Sequence, residues 1–385
     1  MRADLPLFPV TTVGSWPRPA DLLKAKKEFH LGRIGEDEFE RAADRAVVDV
    51  LHRQIEAGVD IVTDGEQRRD NFYSFVAGKL EGVKLMTLLE MLDVIEDKAG
   101  FERLLQTLDV PAYSISNPSC VGHIRRRRSL AGDELRFVRQ HTSLPVKVAL
   151  PGPYLLTRAM WVKEVSQGVY PSKEDLGEDV VAVLREEITE LRALGADFIQ
   201  FDEPVLTELV FTQGQTRTFM CAALAARKDP TEELEFAVDL INRVVSGFDE
   251  MRIGLHICRG NWSRDESTLL RGSYRPLAAY LERLHVRQLV LEYATERAGD
   301  LMPFGGKELG LGVVNPRTEE IESVESICSS VKEALRFFRP AEIFLNPDCG
   351  FCTFANRPMN SDAIAQAKMR RISDAAARLR EETAD

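Results

Sequence analysis

The sequence predicts an α/β protein, a (β/α)8 TIM barrel with a helical insertion near residues 78–118. Three observations lead there. Apolar runs of strand length alternate with stretches of helical periodicity. The runs are continuous instead of alternating with polar residues, as expected for strands covered by helices on both faces of a parallel sheet. There are nine such runs, which favours closure into a barrel over an open doubly wound sheet. A barrel has eight places, so one run is expected to lie outside it. No G-x-G-x-x-G or P-loop follows any run, which argues against a nucleotide-binding open sheet.

The first run is VTTVGSW (10–16). A helix over 37–57 follows, with Ala43, Val47, Leu51 and Ile55 at i, i+4 spacing on one expected face. Gly58 stops it, and the second run ends in Asp64-Gly65-Glu66. The segment LMTLLEMLDVIEDKAGFERLLQ, followed by Pro111 and Pro118, breaks the rhythm and is read as a helical excursion on the rim. SCVGHI (119–124) and VKVALPGP (146–153) come next as strands. A second helix over 176–194 places Val181, Leu184, Ile188 and Leu191 inward. It leads through Gly195 into DFIQFDEP, so the 37–66 unit recurs: helix, Gly, Asp two residues later, strand, carboxylate (Glu66 or Glu203). The last four runs are RIGLHIC (252–258), LVLEYA (289–294), LGLGVV (309–314) and EIFLNPDCG (342–350). No linker-like segment divides the chain, so residues 1–385 are expected to form a single catalytic domain.

A net charge of −11 with both signs interspersed disfavours nucleic acid as a partner. No apolar run approaches membrane-spanning length, and the N-terminus lacks a signal-peptide pattern. Six irregularly spaced cysteines, at 120, 221, 258, 328, 349 and 352, argue for a reducing cytoplasm over a disulfide framework. A homo-oligomer is compatible with all of this.

In a parallel barrel every strand C-terminus opens on one face, so the polar groups that end these runs converge. His256 and Cys258, two apart on a strand, share a side and can reach one ion. Imidazole with thiolate suits zinc. Cys349 ends another run, and Glu292 is a carboxylate within LVLEYA, costly there unless paired or coordinated. His256, Cys258, Glu292 and Cys349 are therefore the expected Zn²⁺ ligands. Cys352 forms a C-x-x-C with Cys349, for which redox use and substitution as a ligand are the other readings. Zinc lowers the pKa of a bound thiol, so alkyl transfer to a thiol is the expected chemistry. Hydrolysis by activated water and a structural zinc in a non-catalytic barrel are the competitors.

The stretches TTVGSWPRP, TDGEQRRDN, PGP, FDEPVLTE, HICRGN, Glu292 and NPDCGF follow the order and spacing of the catalytic half of cobalamin-independent methionine synthases. The chain resembles a short, core-only member of that family from Thr11 to about Arg380. The resemblance implies the same four zinc ligands, with the backbone of Val13, Gly14 and Ser15 binding homocysteine. It implies that Glu66 and Asp202 hold the substrate's ammonium and that Glu208 contacts a folate methyl donor. Two positions depart from the family pattern. Arg317 stands where the family's proton-donating histidine falls, no histidine follows His285, and Trp161 is two residues off the register of the pterin-stacking aromatic. Arg125, Arg126, Arg127 and Arg128 form a basic run, read either as a solvated cluster or as an anion site. A sulfonate there would suit coenzyme M, the thiol alkylated by the related epoxyalkane:coenzyme M transferases.

Overall fold

The structure is a computed structural model that describes residues 5–94, 98, 116–211 and 229–384. Six strands form a parallel sheet in sequential order: β3 (Lys147–Pro151), β4 (Phe198–Asp202), β5 (Arg252–Ile257), β6 (Gln288–Leu291), β7 (Glu308–Val314) and β8 (Ile343–Pro347). Two bridge-length segments close the ring. Val10 pairs with Leu345 of β8, Thr11 with Ile61, and Val62 with Val146 at the edge of β3, all in parallel. The Thr11 amide donates to the Leu345 carbonyl at 3.0 Å and the Lys147 amide to that of Val62 at 2.9 Å, so the ladder is continuous around the barrel.

The candidate run outside the barrel is SCVGHI. It belongs to β2 (Ser116–Arg126), which pairs antiparallel with β1 (Leu80–Thr87) in a separate ribbon. The insertion is thus built partly of strand, against the all-helical expectation, with a short helix Leu88–Val94 continuing from β1. Gly82 makes the pairing possible: its φ is +75°, and a Cβ there would lie 2.3 Å from the His123 carbonyl oxygen. Residues 95–97 and 99–115 of the expected excursion, and Cys221, lie outside the described residues. The ribbon is moored to the barrel's helices. The Ile124 amide donates to the Tyr170 hydroxyl at 2.8 Å, and Arg126 pairs with Glu187 and Glu190 at 2.6 Å each.

The repeated helix–Gly–Asp–strand unit has a physical basis. Gly58 and Gly195 take φ of +81° and +80° just past their helices, Glu36–Glu56 and Lys173–Ala193. The aspartate two residues on then ties the turn to the preceding strand. Asp60 accepts from the Val10 amide at 2.8 Å and Asp197 from the Val146 amide at 2.9 Å. Each also binds an arginine, Arg380 at 2.7 Å in the first case and Arg139 in the second. The second helix starts with a capping box between Ser172 and Asp175 and buries Val181, Leu184, Ile188 and Leu191 as expected. The first departs in one place. Ile55 is exposed, while Val50 and Gln54 are buried. At 3.6 residues per turn an i, i+4 series drifts about 40° per step, so its fourth member has left the face begun by Ala43.

Parallel pairing brings the strand C-termini to one end, where Gly152, Glu203, Cys258, Glu292 and Asp348 follow their strands. A cavity of about 1520 Å³ lies at the other end, lined among others by Phe198, Arg252, Arg287, Glu308 and Phe344. Two of its arginines, Arg252 and Arg287, share Glu308 at 3.0 and 2.8 Å.

Candidate metal and substrate site

His256 stands on β5 opposite Asp202 of β4, and Cys258 follows where β5 ends. Cys349 arrives on the loop after β8. One imidazole nitrogen and two sulfurs from these residues lie within 4.8 Å of one another, all buried. The imidazole is oriented by its Nδ1, which donates to the Val290 carbonyl at 3.1 Å, while Nε2 is buried without a hydrogen-bond partner. A backbone acceptor on one ring nitrogen, with the other left bare, is how a metal-ligating histidine is held. Cys349, with His256 adding, holds the Cys258 thiol well below the usual thiol range, and the same pairing pushes Cys349 well above it. The three side chains therefore fit a soft divalent cation such as zinc in donor type and burial.

Glu292, expected as the fourth ligand, is not within the three-residue cluster. Its Oε2 accepts from Arg297 at 3.0 Å, with Arg259 at 3.7 Å, and its Oε1 is buried without a hydrogen bond, 3.8 Å from Arg317. Arg317 is fully buried at this end of the barrel. Its Nε donates to Glu266 at 3.2 Å and its Nη1 to Asn261 at 3.3 Å, and Nη2 lies 3.7 Å from Asp348. A guanidinium stays charged at any working pH, so it serves here as a cation and hydrogen-bond donor and not as a proton source. The Arg259, Arg297 and Arg317 cluster was not read from the sequence. Its signal was three arginines within a few residues of the strand ends, where buried carboxylates need cations.

Glu66 and Asp202 approach from the other side. Glu66 adopts φ of +54°, rare for a side-chain-bearing residue, and its Oε2 is buried without a hydrogen bond. Burial pushes its carboxyl from 4.5 up to about 7, with Arg69 and Arg18 opposing and Asp202 adding. Burial likewise lifts Asp202 to about 6 against the pull of His256. Two buried carboxyls that repel each other form a site for a cation. Gly14 is what lets Glu66 in, since a Cβ there would lie 2.3 Å from Glu66 Oε1. Arg18 holds the local backbone, donating to the carbonyls of Glu66 at 2.7 Å and Cys352 at 2.6 Å.

The remaining candidates separate. The Val13 carbonyl accepts from Gln200 at 3.0 Å and that of Gly14 from Thr63 at 3.1 Å. Ser15 Oγ accepts from the Cys352 amide at 3.3 Å. Glu203 caps the helix Pro153–Met160, accepting from the amides of Tyr154 at 2.7 Å and Leu155 at 3.0 Å. Glu208 is buried on the helix Val205–Phe211, in the field of Arg158. The Cys352 thiol is outside the metal cluster and donates to the Phe354 carbonyl at 3.2 Å. Trp161 is half-buried, its indole donating to the Tyr170 carbonyl at 3.0 Å. Of the basic run, Arg126 is tied to the helix Lys173–Ala193, Arg127 donates to the Gly78 carbonyl at 2.9 Å, and Arg128 faces Glu36 at 3.7 Å. Arg126 thereby moors the ribbon to that helix.

The strand ends of this parallel barrel thus carry a buried imidazole–dithiol cluster that could hold a metal ion, beside two buried carboxyls. The catalytic-domain model of the cobalamin-independent synthases matches residues 8–377, and the chain belongs to that family. The methionine synthase of Pyrococcus furiosus is 30% identical over 90% of this chain and 87% of its own length. That of Pyrococcus abyssi is 30% identical over 96% and 94%. A B12-independent methionine synthase from Shewanella sp. W3-18-1, solved in complex with selenomethionine, shares the fold with a TM-score of 0.71 at 24% identity, covering 98% of this chain and 99% of that one. A putative vitamin-B12-independent methionine synthase from Listeria monocytogenes has a TM-score of 0.69 at 19% identity, with the same coverage.

Proposed function

We propose that this chain is a zinc-dependent methyltransferase that methylates homocysteine to methionine, with residues 1–385 acting as one catalytic domain. The observation that carries the reading is the adjacency of two donor sets. His256, Cys258 and Cys349 suit a thiophilic cation, and Glu66 with Asp202 suits an ammonium. Homocysteine carries both a thiol and an ammonium. Zinc held by the first set would lower the pKa of an incoming thiol, so that its sulfur is nucleophilic at neutral pH.

The protein's own residues do the rest. Glu66 and Asp202 hold the ammonium and so fix the sulfur's direction of attack. The burial that raises both carboxyls is offset when a cation arrives, and this favours amino-acid thiols over simple ones. Glu292, paired with Arg297 at 3.0 Å and Arg259 at 3.7 Å, is the proposed fourth ligand. The Val13, Gly14 and Ser15 backbone lines the amino-acid subsite, and Glu208 faces the methyl donor. Arg317 would neutralise charge on a departing donor without giving up a proton.

The test is a methyl-transfer assay with zinc-loaded protein, homocysteine and a panel of methyl donors, with coenzyme M as the competing thiol. Methionine formation abolished by Cys258→Ala supports the reading. Transfer to coenzyme M in preference to homocysteine, or no transfer from any donor, overturns it.

A further inference from the structure

A lysine is buried in the middle of the barrel, and the chemistry above does not use it. Lys147 opens β3 and is 1% exposed. Its ammonium donates to the Thr12 carbonyl and, at 3.0 Å, to Gln200 Oε1 on β4. Among the described residues no carboxylate forms an ion pair with it. An ammonium in such a place costs desolvation, and burial pulls it down to about 7 with Asp202 resisting.

Its bonds set a direction. An ammonium only donates, so the Gln200 side chain must turn its carbonyl toward Lys147 and its amide nitrogen away. That nitrogen donates to Asp202 Oδ1 at 2.8 Å and to the Val13 carbonyl at 3.0 Å. One lysine thereby fixes Asp202 and the backbone at Thr12 and Val13. The lysine also places a positive charge behind a carboxylate pair that would otherwise repel its own members.

We propose, resting on the assignment of Glu66 and Asp202 to the substrate's ammonium, that Lys147 is a positioning residue for the amino-acid subsite. Acting through Gln200, it presents Asp202 with one oxygen occupied and the other free, and it holds the 12–13 backbone beside it. It touches neither substrate nor metal. Its effect is selective: it governs recognition of the amino group and leaves thiol capture at the metal untouched.

Selectivity gives the test. Zinc-loaded full chain is titrated calorimetrically with homocysteine and with 4-mercaptobutanoate, which keeps the thiol and carboxylate but lacks the ammonium. Wild type is expected to prefer homocysteine. Lys147→Met is expected to weaken homocysteine binding by about tenfold or more while leaving 4-mercaptobutanoate within about twofold, at unchanged zinc content. Gln200→Glu keeps the acceptor for Lys147 and removes the donor to Asp202. It should show the same selective loss, and it carries the test if Lys147→Met does not fold. Equal weakening of both ligands, or unaltered preference for homocysteine, overturns the positioning role. If wild type itself shows no preference for the amino-bearing thiol, the assignment of Glu66 and Asp202 fails, and the role of Lys147 falls with it.

Discussion

Glu66→Gln should make the metal-free protein more stable at alkaline pH while impairing its function. In the fold the Glu66 carboxyl is raised from 4.5 to about 7, chiefly by burial, with Arg69 and Arg18 too weak to offset it. A carboxyl raised in the fold favours the protonated form. Its contribution is therefore fully present below about pH 4.5 and is lost as pH rises to about 7. At about 1.4 kcal/mol per pH unit between 4.5 and about 7, that loss is about 3.5 kcal/mol. Glutamine keeps the shape without the charge, so the variant should avoid the loss. Urea unfolding of both proteins, with chelator present, at steps from pH 4.5 to 8 measures it. The curves should coincide within about 1 kcal/mol at the acid end and separate by about 3.5 kcal/mol at pH 8, with the variant above. Parallel curves would mean that Glu66 ionises freely in the fold, and the claim that it awaits a cation would be wrong.

Three further outcomes follow from the site. Cys258→Ser should lose stoichiometric zinc whereas Cys352→Ser should retain it, since the Cys352 thiol bonds to backbone carbonyls away from the cluster; metal content after dialysis decides this. Gly14→Ala should leave zinc content intact but raise the KM for homocysteine about tenfold or more, because a Cβ 2.3 Å from Glu66 Oε1 displaces that carboxylate; an unchanged KM would count against Glu66 as an ammonium ligand. Glu203→Ala should destabilise the fold by about 1–3 kcal/mol through two uncapped, buried amides, an effect read from denaturant midpoints with zinc content unaltered.

The barrel was legible because each strand is an apolar run ending in polar residues, and because the Gly58 and Gly195 units announce their own geometry. His256, Cys258 and Cys349 were legible because two residues on one strand share a face and strand ends converge. Which of the nine runs lies outside the barrel was not legible, because the composition of SCVGHI matches that of a barrel strand. What removes it to the ribbon is pairing with 80–87, a long-range contact eased by the positive φ of Gly82. Of the basic run, Arg126 and Arg128 meet carboxylates, Glu187 and Glu36, that are distant in sequence and so could not be paired with them from it. Lys147 and Gln200 were hidden for the opposite reason. Polar residues within a strand carry no sign of facing one another across a barrel interior.

On the proposed function, a thiol is ionised beside a site for its ammonium. The measurement that tests it most directly is proton release when homocysteine binds zinc-loaded protein at pH 8, obtained by calorimetry in buffers of different ionisation enthalpy. Release of about one proton per site from the thiol is expected, abolished when S-methylated homocysteine replaces the free thiol. Tight binding of homocysteine with no proton released would contradict it, since the sulfur would then have stayed a thiol.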